Sequence, residues 1–359
     1  MTVAAFRADA AIQPLSLHPQ SDRAGSSARA LVRTAGAVPL LGSHIGATIG
    51  WAVEVGAQTP PPGVGRTRET WETLATAAAI DVTAARALEP HLDALAILDQ
   101  AKEAGFPIDL AAIGADQHSS WGVFAAEGAR LEAIEGPDGW RLRGTKDWCS
   151  LAGSLTHALV TAWTGAETRR QFAVALRRPE VVAHRGPWVA RGLAGIVSAP
   201  VDFDDAPAVP IGSDGWYLAR PGFAWGGMGV AAVWWGAAAP LVSAVVERAA
   251  SEHADQLAAV FAGDADASFW SVRAVLAEAA DAVDAGVSGR DLKVTAERVR
   301  SVSASAAERI VDLSARALGP GPLTVDEAHA RRVADLRIYL RQYHGERDLA
   351  RLGRLLVSP

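Results

Sequence analysis

The chain is expected to be α+β and multidomain: an N-terminal helical domain, a middle β-sandwich or barrel, and a C-terminal four-helix bundle. Three observations lead there. Leu88, Leu92 and Leu95 recur at helical spacing in an alanine-rich stretch from Trp71 to Leu98. Between Ser120 and Asp214 the texture changes to short β-rich pieces cut by Gly, Pro and Asp. Beyond Gly222 helical periodicity returns in two apolar stripes, Phe269, Val272, Leu276, Ala279, Val283 and then Val299, Val302, Ala306, Ile310, Leu313, Ala317.

Residues 1–58 open on a weakly periodic Ser/Ala/Arg/Pro mixture, with Arg7 and Asp9 where a signal peptide needs an apolar run, and read as a partly disordered leader. The N-terminal helical domain, 59–119, starts at the hinge "TPPPGVGRT" and holds two helices in the region around Pro90. The middle domain, 120–214, carries its strands in "GWRLRG", "HALVTAW", "QFAVAL" and "SAPVDFD". In the last part, 222–359, the two stripes, a helix starting at Gly222 and a C-terminal helix suffice for four helices around one core.

With 359 residues, half of them apolar, the chain can bury a sizeable core. A net charge of -6 with both signs interspersed gives no footprint for a polyanion, which sets nucleic acid aside. The single cysteine, Cys149, permits neither an intrachain disulfide nor a Cys-based metal site, so no metal is expected and a reducing cytoplasm is. No charge lies between Arg220 and Glu247, a run long enough for a bilayer. It is built of Gly and Ala, interrupted by Pro240 and has no second copy, so a helix buried among protein neighbours is expected and a membrane is not. P-loop, dinucleotide, zinc-protease and Gly-x-Ser-x-Gly patterns are missing.

One stretch carries chemistry. "GTKDWCSLAG" places Gly144, Lys146, Trp148, Cys149 and Ser150 between two strands. It is similar to the Gly-x-Lys-x-Trp-(Ile)-(Ser/Thr) motif of the acyl-CoA dehydrogenase superfamily of flavoproteins. Weaker matches stand in the family's order: "WGVFAAEG" resembles its strand ending in Thr-Glu-Pro, "FDDAPAV" its Phe-x-(Asp/Asn)-Val-x-Val turn, and "ARALGPGP" its glycine turn. The close resembles its Arg-Asp-helix-Tyr-Glu-Gly segment, with Asp335, Tyr343 and Gly345 kept. The resemblance runs from about Trp71 to Arg354 and implies FAD, contacted by Phe124, Ala125, Ala126, Trp148, Cys149, Ser150, Gly319 and Gly345. In that family the Trp packs on the isoalloxazine ring and the hydroxyl residue bonds its edge, roles that an indole and a neighbouring hydroxyl suit.

The departures bear on the reaction. Where the family carries its catalytic Glu, this chain reads Tyr343-His344-Gly345, and the alternative Glu position falls near Gly226. His344 and Glu346 are therefore the candidate bases. The Arg-x-x-Phe-Gly loop is missing, and Gly128-Ala129-Arg130 replaces a Gly-Ser-Asp turn, which thins the pyrophosphate contacts. Three readings follow from the resemblance: oxidation of an acyl thioester at Cα–Cβ, flavin-dependent monooxygenation on the same fold, and a non-catalytic partner that keeps only the fold. It also implies a homodimer or homotetramer assembled through the C-terminal helices.

Overall fold

The computed structural model describes residues 13–19 and 24–357. Four helices come first: α1 (Ser26–Ala35), α2 (Ile45–Gly56), α3 (Thr67–Ile80) and α4 (Val82–Glu103). Asp81 separates the last two; it is extended, and its carboxylate accepts the Ala84 N–H at 2.8 Å as the N-cap of α4. Pro90 lies inside α4 without breaking it and leaves the Arg86 carbonyl without its usual helical donor.

The leader reading of 1–58 does not hold for the described residues, which include α1 and α2. Buried Glu72 of α3 accepts hydrogen bonds from Leu17 N (2.7 Å), Ser16 Oγ (3.2 Å) and Gly25 N (2.6 Å), and Leu17 is fully buried. One internal carboxylate thus anchors a segment whose composition alone reads as loose. Residues 1–12 and 20–23 lie outside the described part.

Seven strands follow: β1 (Trp121–Phe124), β2 (Leu131–Gly136), β3 (Gly139–Ser150), β4 (His157–Trp163), β5 (Arg169–Ala175), β6 (Val181–Ala183) and β7 (Ser198–Ile211). The pairings β4–β2, β2–β3, β3–β7, β7–β5 and β5–β4 return to their start, so five strands form a closed ring. β1 adds to β4 in parallel and β6 to β7. Leu142, Val160, Phe172 and Val201 from four of the ring strands are buried.

After the short α5 (Trp216–Ala219) come three long helices, α6 (Pro221–Ala249), α7 (Gln256–Asp284) and α8 (Gly289–Leu318), packed on one another, with α3 against α6. The two apolar stripes fall on α7 and α8 and are mostly buried, though Val302 is exposed. Among the described residues α6 is the one helix long and apolar enough to cross a membrane, and its apolar window is 83% buried inside the protein. In place of one C-terminal helix there are three, α9 (Gly321–Val325), α10 (Glu327–Tyr339) and α11 (Glu346–Val357). Gly345, at φ 58°, turns the chain between the last two.

Candidate functional site

The motif residues gather at the end of β3. Between Lys146 and Cys149 the register against β7 slips, because Lys146 faces Val201 and Cys149 faces Ala199. This bulge puts Trp148 at φ 60°, a left-handed conformation that costs a non-glycine residue about 1–3 kcal/mol. The result is an indole 61% exposed, turned out of the sheet. The residues around it are tied down. Lys146 is buried and donates from Nζ to Thr161 O (3.0 Å) and Thr161 Oγ1 (2.9 Å), fastening β3 to β4; burial lowers its pKa to about 8. The Cys149 thiol is buried on Lys146 O, and burial pushes it up to about 12, which favours the thiol over the thiolate at neutral pH. The Ser150 and Ser198 hydroxyls are 2.7 Å apart.

From Ser150 a polar path enters the helices. Arg86 of α4 donates from Nη2 to Ser150 Oγ (3.2 Å), and its Nη1 lies 3.4 Å from Glu89 Oε2. Tyr339 of α10 donates to the same Glu89 oxygen at 3.1 Å, with the Arg86 guanidinium 5.6 Å from its ring. One turn on, Asp93 pairs with Arg220 at 3.4 Å, and Arg220 also donates to Gln100 Oε1 at 3.0 Å. Arg300 of α8 closes the far side, donating to Gly227 O (2.8 Å) and Gln342 O (3.0 Å). Burial raises both carboxyls, with Arg86 opposing the shift at Glu89 and Arg220 opposing it at Asp93.

These carboxyls face a cavity between α4 and α6 that Trp71, Leu92, Trp225 and Gly226 help to line. Its free space, about 30 Å³, suits a water or one small polar group. Three buried donor atoms near it, Gln100 Nε2, Arg220 Nε and Trp225 Nε1, have no protein partner. A Cβ added at Gly222 would meet the Gln100 and Arg220 head groups, which therefore pack directly on the Gly222 backbone.

The structure brings some expected site residues together and not others. Ser150 is joined to the buried cluster through Arg86, with Trp148 and Cys149 next to it on β3. Phe124 is buried, and Ala125 lines a second cleft of about 470 Å³ with Thr161, Arg169 and Tyr217, while Ala126 is exposed. Gly319, at φ 69°, ends α8. His344 is exposed and turned to Asp348, with its N–H on Asp348 Oδ2 at 3.1 Å, and Glu346 is exposed in the first turn of α11. Among the described residues no hydrogen bond or ion pair joins the side chain of His344 or Glu346 to the Glu89 cluster. Sequence reasoning missed Arg86, Glu89, Asp93 and Gln100. The signal was their spacing on one side of a helix whose other residues are mostly Ala and Leu.

No protein-family model matches the chain, and no curated protein does. Solved structures do. KijD3, in complex with FMN and dTDP-3-amino-2,3,6-trideoxy-4-keto-3-methyl-D-glucose, superposes with a TM-score of 0.78 over 98% of both chains at 17% identity. Dibenzothiophene monooxygenase (TdsC) from Paenibacillus sp. A11-2 gives 0.69 over 86% of this chain and 88% of that one, at 17% identity. Butyryl-CoA dehydrogenase from Megasphaera elsdenii gives 0.73 over 94% and 99%, at 16% identity. The chain has the acyl-CoA dehydrogenase fold over nearly its whole length.

Proposed function

We propose that the chain is a flavin-dependent oxidoreductase, and specifically a monooxygenase acting on a small polar group. The observation that carries the flavin is Trp148, a bare indole forced outward by a bulge beside two hydroxyls and a guanidinium. Such an arrangement fits the face and edge of an isoalloxazine ring. FMN is favoured over the FAD implied by the sequence resemblance, because KijD3 holds FMN on this fold and the pyrophosphate motifs are missing here.

The finer reading turns on the cavity. Oxidation of an acyl thioester suits an apolar cavity beside the reacting carbons, whereas here two buried carboxyls, Glu89 and Asp93, the latter paired with Arg220, face the space among Trp71, Leu92 and Trp225. TdsC supports oxygen transfer on this fold. When bound, reduced flavin supplies two electrons to O2, so that one oxygen atom enters the substrate and the other leaves as water. The chain's own residues do the rest: Trp148 and Ser150 hold the ring, Arg86 couples it to Glu89, and Trp71 and Trp225 keep bulk water from the cavity. The same proposal takes in a homodimer or homotetramer, for which Leu257, Val260 and Trp270, exposed along α7, offer apolar surface.

The test is fluorescence quenching of added FMN and FAD by purified protein. Trp148→Ala is expected to weaken FMN binding about ten-fold, about 1.4 kcal/mol. Wild-type protein that quenches neither flavin overturns the reading.

A further inference from the structure

Oxygen transfer of this kind requires an acid, because the oxygen atom that does not enter the substrate leaves as water only after taking up protons. The slot at 344 holds a histidine that faces Asp348 and solvent, and position 226 has no side chain. The space at Gly226 is nevertheless held by a carboxylate, since a Cβ there would stand 2.9 Å from Asp93 Oδ1. The acids of this site therefore come from α4, across the cavity. Both have partners, Asp93 in Arg220 and Glu89 in Arg86 and Tyr339; Glu89 is the one on the Ser150 side, joined to it through Arg86.

Resting on the flavin reading above, we propose that Glu89 is the catalytic general acid, giving its proton to the oxygen atom that departs as water. The O–H bond of the Glu89 carboxyl breaks, an O–H bond forms on the departing oxygen, and the carboxylate left behind is reprotonated from solvent once product has left and the site reopens. Both electrons come from the reduced flavin, and O2 is the oxidant. The groups that face Glu89 fit the role. Arg86 and Asp93 flank it on α4, Tyr339 donates to it from α10, Arg300 approaches from α8, and Tyr217 stands near it on α5. Arg86 and Tyr339 steady the carboxylate after transfer, while burial and Asp93 favour the protonated form before it.

Two measurements test this. In flavin-free protein, infrared difference spectra across pH are expected to show a protonated carboxyl that persists above the ordinary carboxylate range. The Glu89 part of that signal should be lost in Glu89→Gln, while the parts from Asp93 and Asp335, which burial raises as well, remain; the Glu89 part should titrate higher in Tyr339→Phe, which removes a hydrogen bond to the ionised form. With FMN bound and reduced by dithionite and no substrate present, both oxygen atoms leave together as hydrogen peroxide after taking up the same proton, so stopped-flow reoxidation by air is expected to slow as pH rises through that same titration. Glu89→Gln should lower the rate about a hundred-fold and flatten its pH profile, with FMN quenching unchanged. Tyr339→Phe, which keeps the acid, should move the limb upward. A wild-type carboxyl that titrates normally, or a pH limb that survives in Glu89→Gln, overturns the role of Glu89 and leaves the flavin reading standing. Absence of FMN quenching by wild type overturns both.

Discussion

At the scale of single residues, Trp148 and Glu89 differ in how the sequence displays them. Trp148 stands out because an indole, a lysine and a hydroxyl sit in one short turn between strands; its positive φ and exposure come from the bulge, which depends on β7, fifty residues away. Glu89 is an ordinary acid in an ordinary helix until α6, α8 and α10 close around it, so its burial has no local signature. His91 shows the same dependence and yields a measurable consequence. It is buried, its Nδ1 accepts the Trp121 N–H at 3.3 Å, and burial lowers its pKa to about 4. The imidazole is therefore neutral in the fold and protonates more readily when unfolded. Its contribution is complete above the unfolded histidine value and is lost as pH falls from about 6.5 towards about 4, roughly 3 kcal/mol in all. Urea melts across this window should show the loss, and His91→Gln, which keeps an acceptor and cannot protonate, should remove most of it. An unchanged slope in the variant would place the acid sensitivity elsewhere.

At the scale of elements, periodicity located α3, α4, α7, α8 and four of the five ring strands, all but β2, because each buries one face and the buried face repeats. It did not locate α1 and α2 or the break between α10 and α11. The start of α1 is held by polar bonds to Glu72 and Glu69, α2 packs against α4, and the break is set by one turn at Gly345. Helix α6 was legible for a different reason: its small residues signal close approach. At Gly236 an added Cβ would lie 2.0 Å from the Ala75 carbonyl oxygen of α3, so the two backbones meet with no room for a methyl group. Gly236→Ala is expected to force α3 and α6 apart and to cost about 3 kcal/mol, read as a lowered melting temperature. Since α3 also lines the cavity through Trp71, FMN affinity should fall with it; a variant as stable as wild type would show that the helices do not pack this closely.

At the scale of the whole molecule, the candidate site exists only where the strand ring meets the helices, and few bonds hold that junction. Asp335 of α10 makes one of them, Oδ1 accepting the Leu193 N–H at 2.5 Å from the loop before β7, and its Oδ2 accepts the Thr83 hydroxyl of α4 at 3.3 Å, which ties the two helices there. Nearby, a Cβ at Gly192 would overlap the Ala334 carbonyl, so the loop lies directly on α10. Burial raises the Asp335 carboxyl above its ordinary range, which means that the fold favours its uncharged form and that its contribution declines as pH rises through the raised value. What the junction needs from this residue is an acceptor more than a charge. Asp335→Asn keeps one oxygen for Leu193 and buries no charge, and is expected to stay within about 1 kcal/mol of wild type. Asp335→Ala leaves the Leu193 N–H without a partner and should cost about 2–4 kcal/mol. Hydrogen exchange gives the local readout: faster exchange confined to the loop around 185–197 and to α10 in the alanine variant, with the strand ring unchanged. Because Ser198 follows that loop and bonds Ser150, FMN quenching should weaken in Asp335→Ala and recover in Asp335→Asn. Equal losses in the two variants would mean that the charge of Asp335, and not its geometry as an acceptor, joins the helices to the ring.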